Sequence, residues 1–350
     1  MKYFLQRTFL FFSPIVIVGA IFLSIPIYTI FSTGEHLKVS EIIDKQQKDK
    51  SIVVGISLRN IDSSLKFHTT ELKQPDILAL GTSRVLQFRE TFFKDDVSFY
   101  NAGRGFSNLN QGVDFIGHLY HKPNILILGL DQDLFNEEYA EKYQEPLDFD
   151  DNIDKLNVLI TSIKKIYFDF SIVQKIWNNP KNIGFMGSVY GAGFRSDGSY
   201  FYNRKLNSFE NIIETKENHL FSNTIKKIKD SRGRFAYGDI VYKESVNRIS
   251  DLLKICNEKG IYVVGFMPPF APLVNNYLKE SGNYTYMSKI YHSIKYIFDY
   301  YSFELYDFTD FSERSSNEMY IDGFHGDEEV YYNILSILKS KNSRLSKYIK

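Results

Sequence analysis

The 350-residue chain carries 42 Lys and Arg against 42 Asp and Glu, and 43% of its residues are hydrophobic, enough for one large domain or two small ones. A formal charge of zero supplies no concentrated positive field, so nothing points to a nucleic-acid partner. The single cysteine, Cys256, excludes an intrachain disulfide and a Cys-x-x-Cys site.

The first element is the most distinctive. Residues 8–31 contain no charge and are rich in Phe, Ile, Val and Leu. At about 1.5 Å per helical residue such a stretch is long enough to cross a hydrocarbon core of about 30 Å. Lys2 and Arg7 precede it, so the positive-inside rule places the N-terminus in the cytoplasm and the following domain outside. A cleaved signal peptide would have a shorter apolar stretch and a small-x-small site, which is not seen near Phe31. The expectation is a single-pass cell-membrane protein anchored by residues 1–31.

Residues 32–73 are mixed and polar and read as a stalk and lead-in. A domain over 74–345 follows. Short apolar runs at 76–81, 97–101, 124–130, 261–267 and 303–308 read as strands. Helical patterns lie between them at 110–120 and 242–259, the second stopped by Gly260, and a last helix starts near Asp327. Cys256 falls on the apolar stripe of the 242–259 helix and reads as a core residue. Strands apolar on both faces, alternating with helices, predict an α/β three-layer sandwich with a parallel sheet of about five strands. Residues 136–240, with a helix near 153–168 and a Gly-rich stretch at 187–198, break the alternation and read as an insertion.

Ligands of open parallel sheets bind at the carboxyl ends of the strands. Gly81-Thr82-Ser83-Arg84, Asn101-Ala102-Gly103, Gly129-Leu130-Asp131-Gln132 and Asp322-Gly323-Phe324-His325 all fall at such ends, so a Ser, an Asp and a His converge on one rim. His118 and His121 are spaced to share a helix face, but no third ligand is evident and no metal site is expected. Arg195, Asp197 and Gly198 read as a turn of the insertion, either facing the substrate or, on the plainer reading, lying on the surface, and Pro268, Pro269 and Pro272 as a rigid rim loop.

These four blocks resemble, in order and context, those of the SGNH/GDSL hydrolase superfamily. Gly81-Thr82-Ser83 is similar to its Gly-Asp-Ser block, with Thr82 in place of Asp, and Asp322-Gly-Phe-His325 to its Asp-x-x-His block. Asp131 stands where the family has an oxyanion Asn. The resemblance covers roughly 74–135 and 242–340. It implies a catalytic triad of Ser83, His325 and Asp322, an oxyanion hole from the Ser83 and Gly103 amides with Asp131 at its third position, and a substrate contact from Asn101. It implies no cofactor. Arg84, by its place after Ser83, reads as a partner of an acidic substrate or of Asp131, or as a solvated surface residue. The anchor and the insertion are similar to cell-envelope members, such as the lipoteichoic-acid D-alanylation and alginate O-acetylation proteins. That likeness implies serine-dependent acyl transfer to, or deacylation of, a surface polysaccharide or teichoic-type polymer, beside a polytopic membrane O-acyltransferase. An inactive glycan-binding or scaffold module of the same fold is the alternative.

Overall fold

A computed structural model describes residues 1–150, 152–169, 171–178, 181–203 and 220–350. In chain order its elements begin with α1 (Lys2–Thr33), α2 (Val39–Lys48), α3 (Asp62–Lys73), β1 (Ile77–Gly81), β2 (Phe99–Gly103), α4 (Leu109–His118), β3 (Ile125–Gly129), α5 (Glu137–Lys142), α6 (Lys155–Phe168) and α7 (Ser171–Asn178). They continue with α8 (Phe185–Tyr190), β4 (Gly193–Phe194), β5 (Tyr200–Phe201), α9 (Ser222–Lys229), α10 (Lys243–Lys259), β6 (Tyr262–Met267), α11 (Pro272–Ser281), α12 (Thr285–Tyr300), β7 (Glu304–Asp307) and α13 (Glu328–Ser340).

The chain divides into two compact units. The first comprises Met1–Ile61, Asp151–Ser196 and Phe201–Leu206; the second comprises Asp62–Asp150, Asp197–Tyr200 and Asn207–Lys350. The second unit holds a five-stranded, wholly parallel sheet in the order β2-β1-β3-β6-β7. Every residue of β1, β2 and β3 is buried. Successive strand residues face opposite sides, so both faces of the sheet are covered. The chain steps from β1 to β2 on one side, then returns past β1 to β3 on the other. That reversal makes the carboxyl end of β1 the switch point, where open α/β sheets form their crevice. The helices obey the sequence cues: Asp327 caps α13 by accepting from the Glu329 and Val330 amides, and Gly260 ends α10 at φ 73°.

The first unit begins with the apolar helix. α1 exposes Leu10, Phe11, Ile15, Val16, Ile17, Val18 and Ile21, a surface suited to lipid and costly in water. It is long and apolar enough to cross a membrane. The reading of 32–73 as a stalk is revised. Within the first unit, Val39, Ile42, Ile43 and Gln46 bury one face of α2. In the second, α3 packs on β2. With only Val39, Ile42 and Ile43 apolar and a glutamine completing its buried face, α2 is too short an amphipathic stripe to stand out in a polar stretch. The insertion is also divided. Residues 151–196 belong to the first unit and 220–240 to the second, while 204–219 lie outside the described residues.

Candidate active site

Ser83 follows β1 as the first residue of a short 3-10 turn, and Thr82 caps that turn by accepting from the Arg84 amide. His325 arrives from a turn before α13, 242 positions away in the chain. Its Nε2 lies 2.8 Å from Ser83 Oγ. Its Nδ1 lies 2.7 Å from Asp322 Oδ2. Asp322 Oδ1 accepts from the His325 and Phe324 amides at 2.9 and 3.2 Å, so one carboxylate orients both the ring and the backbone that carries it. The turn itself needs Gly323, whose φ is 93° and where a Cβ would stand 2.5 Å from Val274 Cγ2. Thr224 Oγ1 and the Ala271 amide donate to the carbonyls of Asp322 and Gly323. Burial alone would raise the Asp322 carboxyl, but the His325 charge and the hydrogen bonds it accepts hold it below its ordinary value. The imidazole and carboxylate side chains are 16% and 21% exposed, enclosed yet reachable.

The structure thus brings together Ser83, His325 and Asp322 as the sequence suggests, and corrects the four neighbours. Asn101 is fully buried and does not face a substrate. Its Nδ2 donates to the carbonyls of Val85 and Phe88, tying the loop after Ser83 to β2. Gly103 donates its amide to Asn101 Oδ1 at 2.8 Å, so that N–H is engaged within the strand end instead of facing an oxyanion. Among the described residues, no acceptor takes the Ser83 N–H.

Arg84 is also buried, at 1% exposure. Its guanidinium donates to the carbonyls of Phe324, Pro268 and Pro269 and to Gln132 Oε1, and it stacks 4.3 Å from the centre of the Phe270 ring. Arg84 therefore positions the His325 turn, the loop after β3 and the loop after β6. The Pro268–Pro269 rim is held by this fork.

Asp131 offers no oxyanion donor. It is fully buried, with Oδ2 accepting from Thr82 Oγ1 at 2.7 Å and lying 3.6 Å from Arg234 Nη1. The two departures from the expected blocks, Thr82 and Asp131, are therefore partners. Arg234 comes from the insertion, in a stretch where no sequence pattern distinguished it. Its guanidinium also lies 4.0 Å from Asp133 and stacks 4.5 Å from the Phe324 ring centre. Burial pushes the Asp133 carboxyl up, a shift that Arg234 opposes and Asp131 reinforces.

The remaining candidates fall elsewhere. His118 Nδ1 contacts the Asp114 carbonyl and His121 Nε2 the Pro75 carbonyl, and no group of metal-ligating side chains occurs among the described residues. Cys256 is fully buried in the core. Asp197 and Gly198 form a buried turn, not a surface one. The Asp197 carbonyl accepts from the Asn101 amide, and Asp197 pairs with Arg89 at 2.9 Å. A Cβ at Gly198 would stand 2.1 Å from the Asn101 carbonyl oxygen. No protein-family model matches this chain, and no curated protein matches it.

Proposed function

We propose that the chain is a serine-dependent O-acyl hydrolase or transferase of the SGNH/GDSL kind. On this reading α1 anchors it in the cell membrane, and it acts outside on a cell-envelope polysaccharide or teichoic-type polymer. The observation that carries the proposal is the Ser83–His325–Asp322 chain of two hydrogen bonds at the switch point of the sheet. A serine hydroxyl is a weak nucleophile until a base takes its proton. His325 Nε2 takes that proton as Ser83 Oγ bonds to the acyl carbon, and the Ser83 amide faces the oxyanion. His325 then gives the proton to the leaving alcohol. Asp322 holds the tautomer and stabilises the imidazolium. Water resolving the acyl-enzyme releases an acid, and a polymer hydroxyl resolving it completes a transfer. A polytopic membrane O-acyltransferase is the natural donor-side partner for the second course.

A second reading, a non-catalytic module of the same fold, is favoured by one observation. The Gly103 amide is engaged by Asn101, and losing one oxyanion donor typically costs about 10²–10³ in rate. A fluorophosphonate probe separates the two. An enzyme is labelled at Ser83, and Ser83→Ala loses the label while keeping its thermal transition. A wild-type chain that stays folded and takes no label rules out the catalytic reading.

A further inference from the structure

We propose that α6 is not a soluble element but dips into the outer leaflet of the bilayer alongside α1, so that Phe168 lies in lipid. The inference rests on reading α1 as a membrane-spanning helix.

Pro26 lies inside α1 and has no N–H, so the carbonyl four residues back, Phe22, loses its helical partner. Within hydrocarbon such a carbonyl must be satisfied by protein, because no water is present. At the other internal proline, Pro14, the corresponding carbonyl is Leu10, and Ser13 Oγ from the same helix donates to it at 3.1 Å. At Phe22 the donor comes from α6: Tyr167 Oη donates to the Phe22 carbonyl at 2.5 Å. The two rings stack with centres 4.4 Å apart and planes 2° from parallel. Five residues earlier on α6, Ser162 Oγ donates to the Pro26 carbonyl. Moving forward along α6 therefore means moving backward along α1, so α6 runs antiparallel to it.

Depth follows from the register. Phe22 is nine residues before Phe31, the end of the uncharged stretch, so it lies about 13 Å inside that end at about 1.5 Å per residue. Tyr167 is bonded at that level. Phe168, 94% exposed, is beside it, and Leu156 and Ile160 are exposed on the same helix at 67% and 41%. An apolar stripe facing water would be costly, and one facing acyl chains is not. Lys164 is exposed within the stripe, and its long stem lets the ammonium rise to the headgroups. Lys165 turns inward, its Nζ 3.2 Å from Ser57 Oγ and over the Phe185 ring.

The test uses the full chain in phosphatidylcholine vesicles. One cysteine at a time is introduced by Phe168→Cys, Ile17→Cys or Lys254→Cys and labelled with a polarity-sensitive fluorophore. Native Cys256 gives no background, since it is fully buried and burial pushes its thiol up to about 12. A nitroxide on the lipid acyl chain should quench the label at 168 as strongly as the label at 17, with iodide quenching only the label at 254. Iodide quenching at 168 to the level seen at 254, with position 17 still quenched by lipid, overturns the inference and leaves the anchor intact. Iodide quenching at 17 overturns the reading of α1, and the inference with it.

Discussion

Arg84 follows the candidate nucleophile directly, and an exposed or substrate-facing arginine was the natural expectation from its neighbours. Its partners come from positions 48 to 240 residues away, so no local pattern encodes its burial. By contrast, Ser83, Asp322 and His325 were legible, because each stands just after an apolar run or in a short spaced block. Arg84→Met should leave the buried carbonyls of Phe324 and Pro269 and the Gln132 amide oxygen without their donor, while the Pro268 carbonyl keeps Gln132 Nε2. Each orphaned group costs about 1–3 kcal/mol, so urea unfolding should show a loss of several kcal/mol. Arg84→Lys should rescue little, because an ammonium has no planar fork. An Arg84→Met chain that unfolds at the wild-type urea midpoint would refute this role. At the triad, Asp322→Asn should lower kcat for an activated ester by about 10⁴, the size of effect that the same change has in serine proteases. The Asp322 carboxyl is held below its ordinary value of 3.8. Its contribution to stability is therefore complete above that pH and lost as pH falls through the lower folded value. The melting-temperature gap between wild type and Asp322→Asn should narrow only in that acid window.

The parallel strands were the easiest elements to read, since β1, β3 and β6 are continuous apolar runs. α3 was missed for a physical reason: it buries Lys66 and two threonines, which a hydrophobic pattern cannot register. Lys66 is fully buried, with Nζ donating to the carbonyls of Asn101 and Gly198, where the Asp197–Tyr200 segment covers the edge of β2. Burial brings its pKa down to about 7, against the pull of Asp62 and Asp197 and with a small push from Arg104. The folded chain then binds fewer protons than the unfolded chain between about 7 and 10.5. Stability should rise with pH across that window, by at most about 1.4 kcal/mol per unit, and stay flat below it. Lys66→Met should lose the two carbonyl contacts at every pH and, more tellingly, lose the slope. Urea unfolding of both proteins between pH 7 and 10 measures it. Parallel curves would mean that Lys66 stays charged in the fold.

At the scale of the whole chain, each unit has its own core. One is gathered around the sheet, and the other joins Leu58, Val158, Ile172, Ile176, Phe185 and Val189. The sequence reading drew the first boundary at residue 31, where the apolar stretch ends, but the first unit does not respect it. Just beyond the helix, Glu35 is fully buried and accepts from the amides of Ser57, Leu58 and Phe185. That carboxylate ties the end of α1 to two distant stretches of its own unit, a role invisible to hydropathy because a lone Glu after an anchor looks like solvated linker. Glu35→Ala removes the acceptor for three buried donors, at about 1–3 kcal/mol each. Glu35→Gln keeps one acceptor oxygen and should fall between. Under limited proteolysis the Ala variant should be cut faster within residues 35–61 and 151–196. Fluorophosphonate labelling of Ser83, which depends on the second core, reports separately on the sheet domain and should remain. Wild-type resistance to cleavage in Glu35→Ala would show that the first unit is held by its apolar contacts alone.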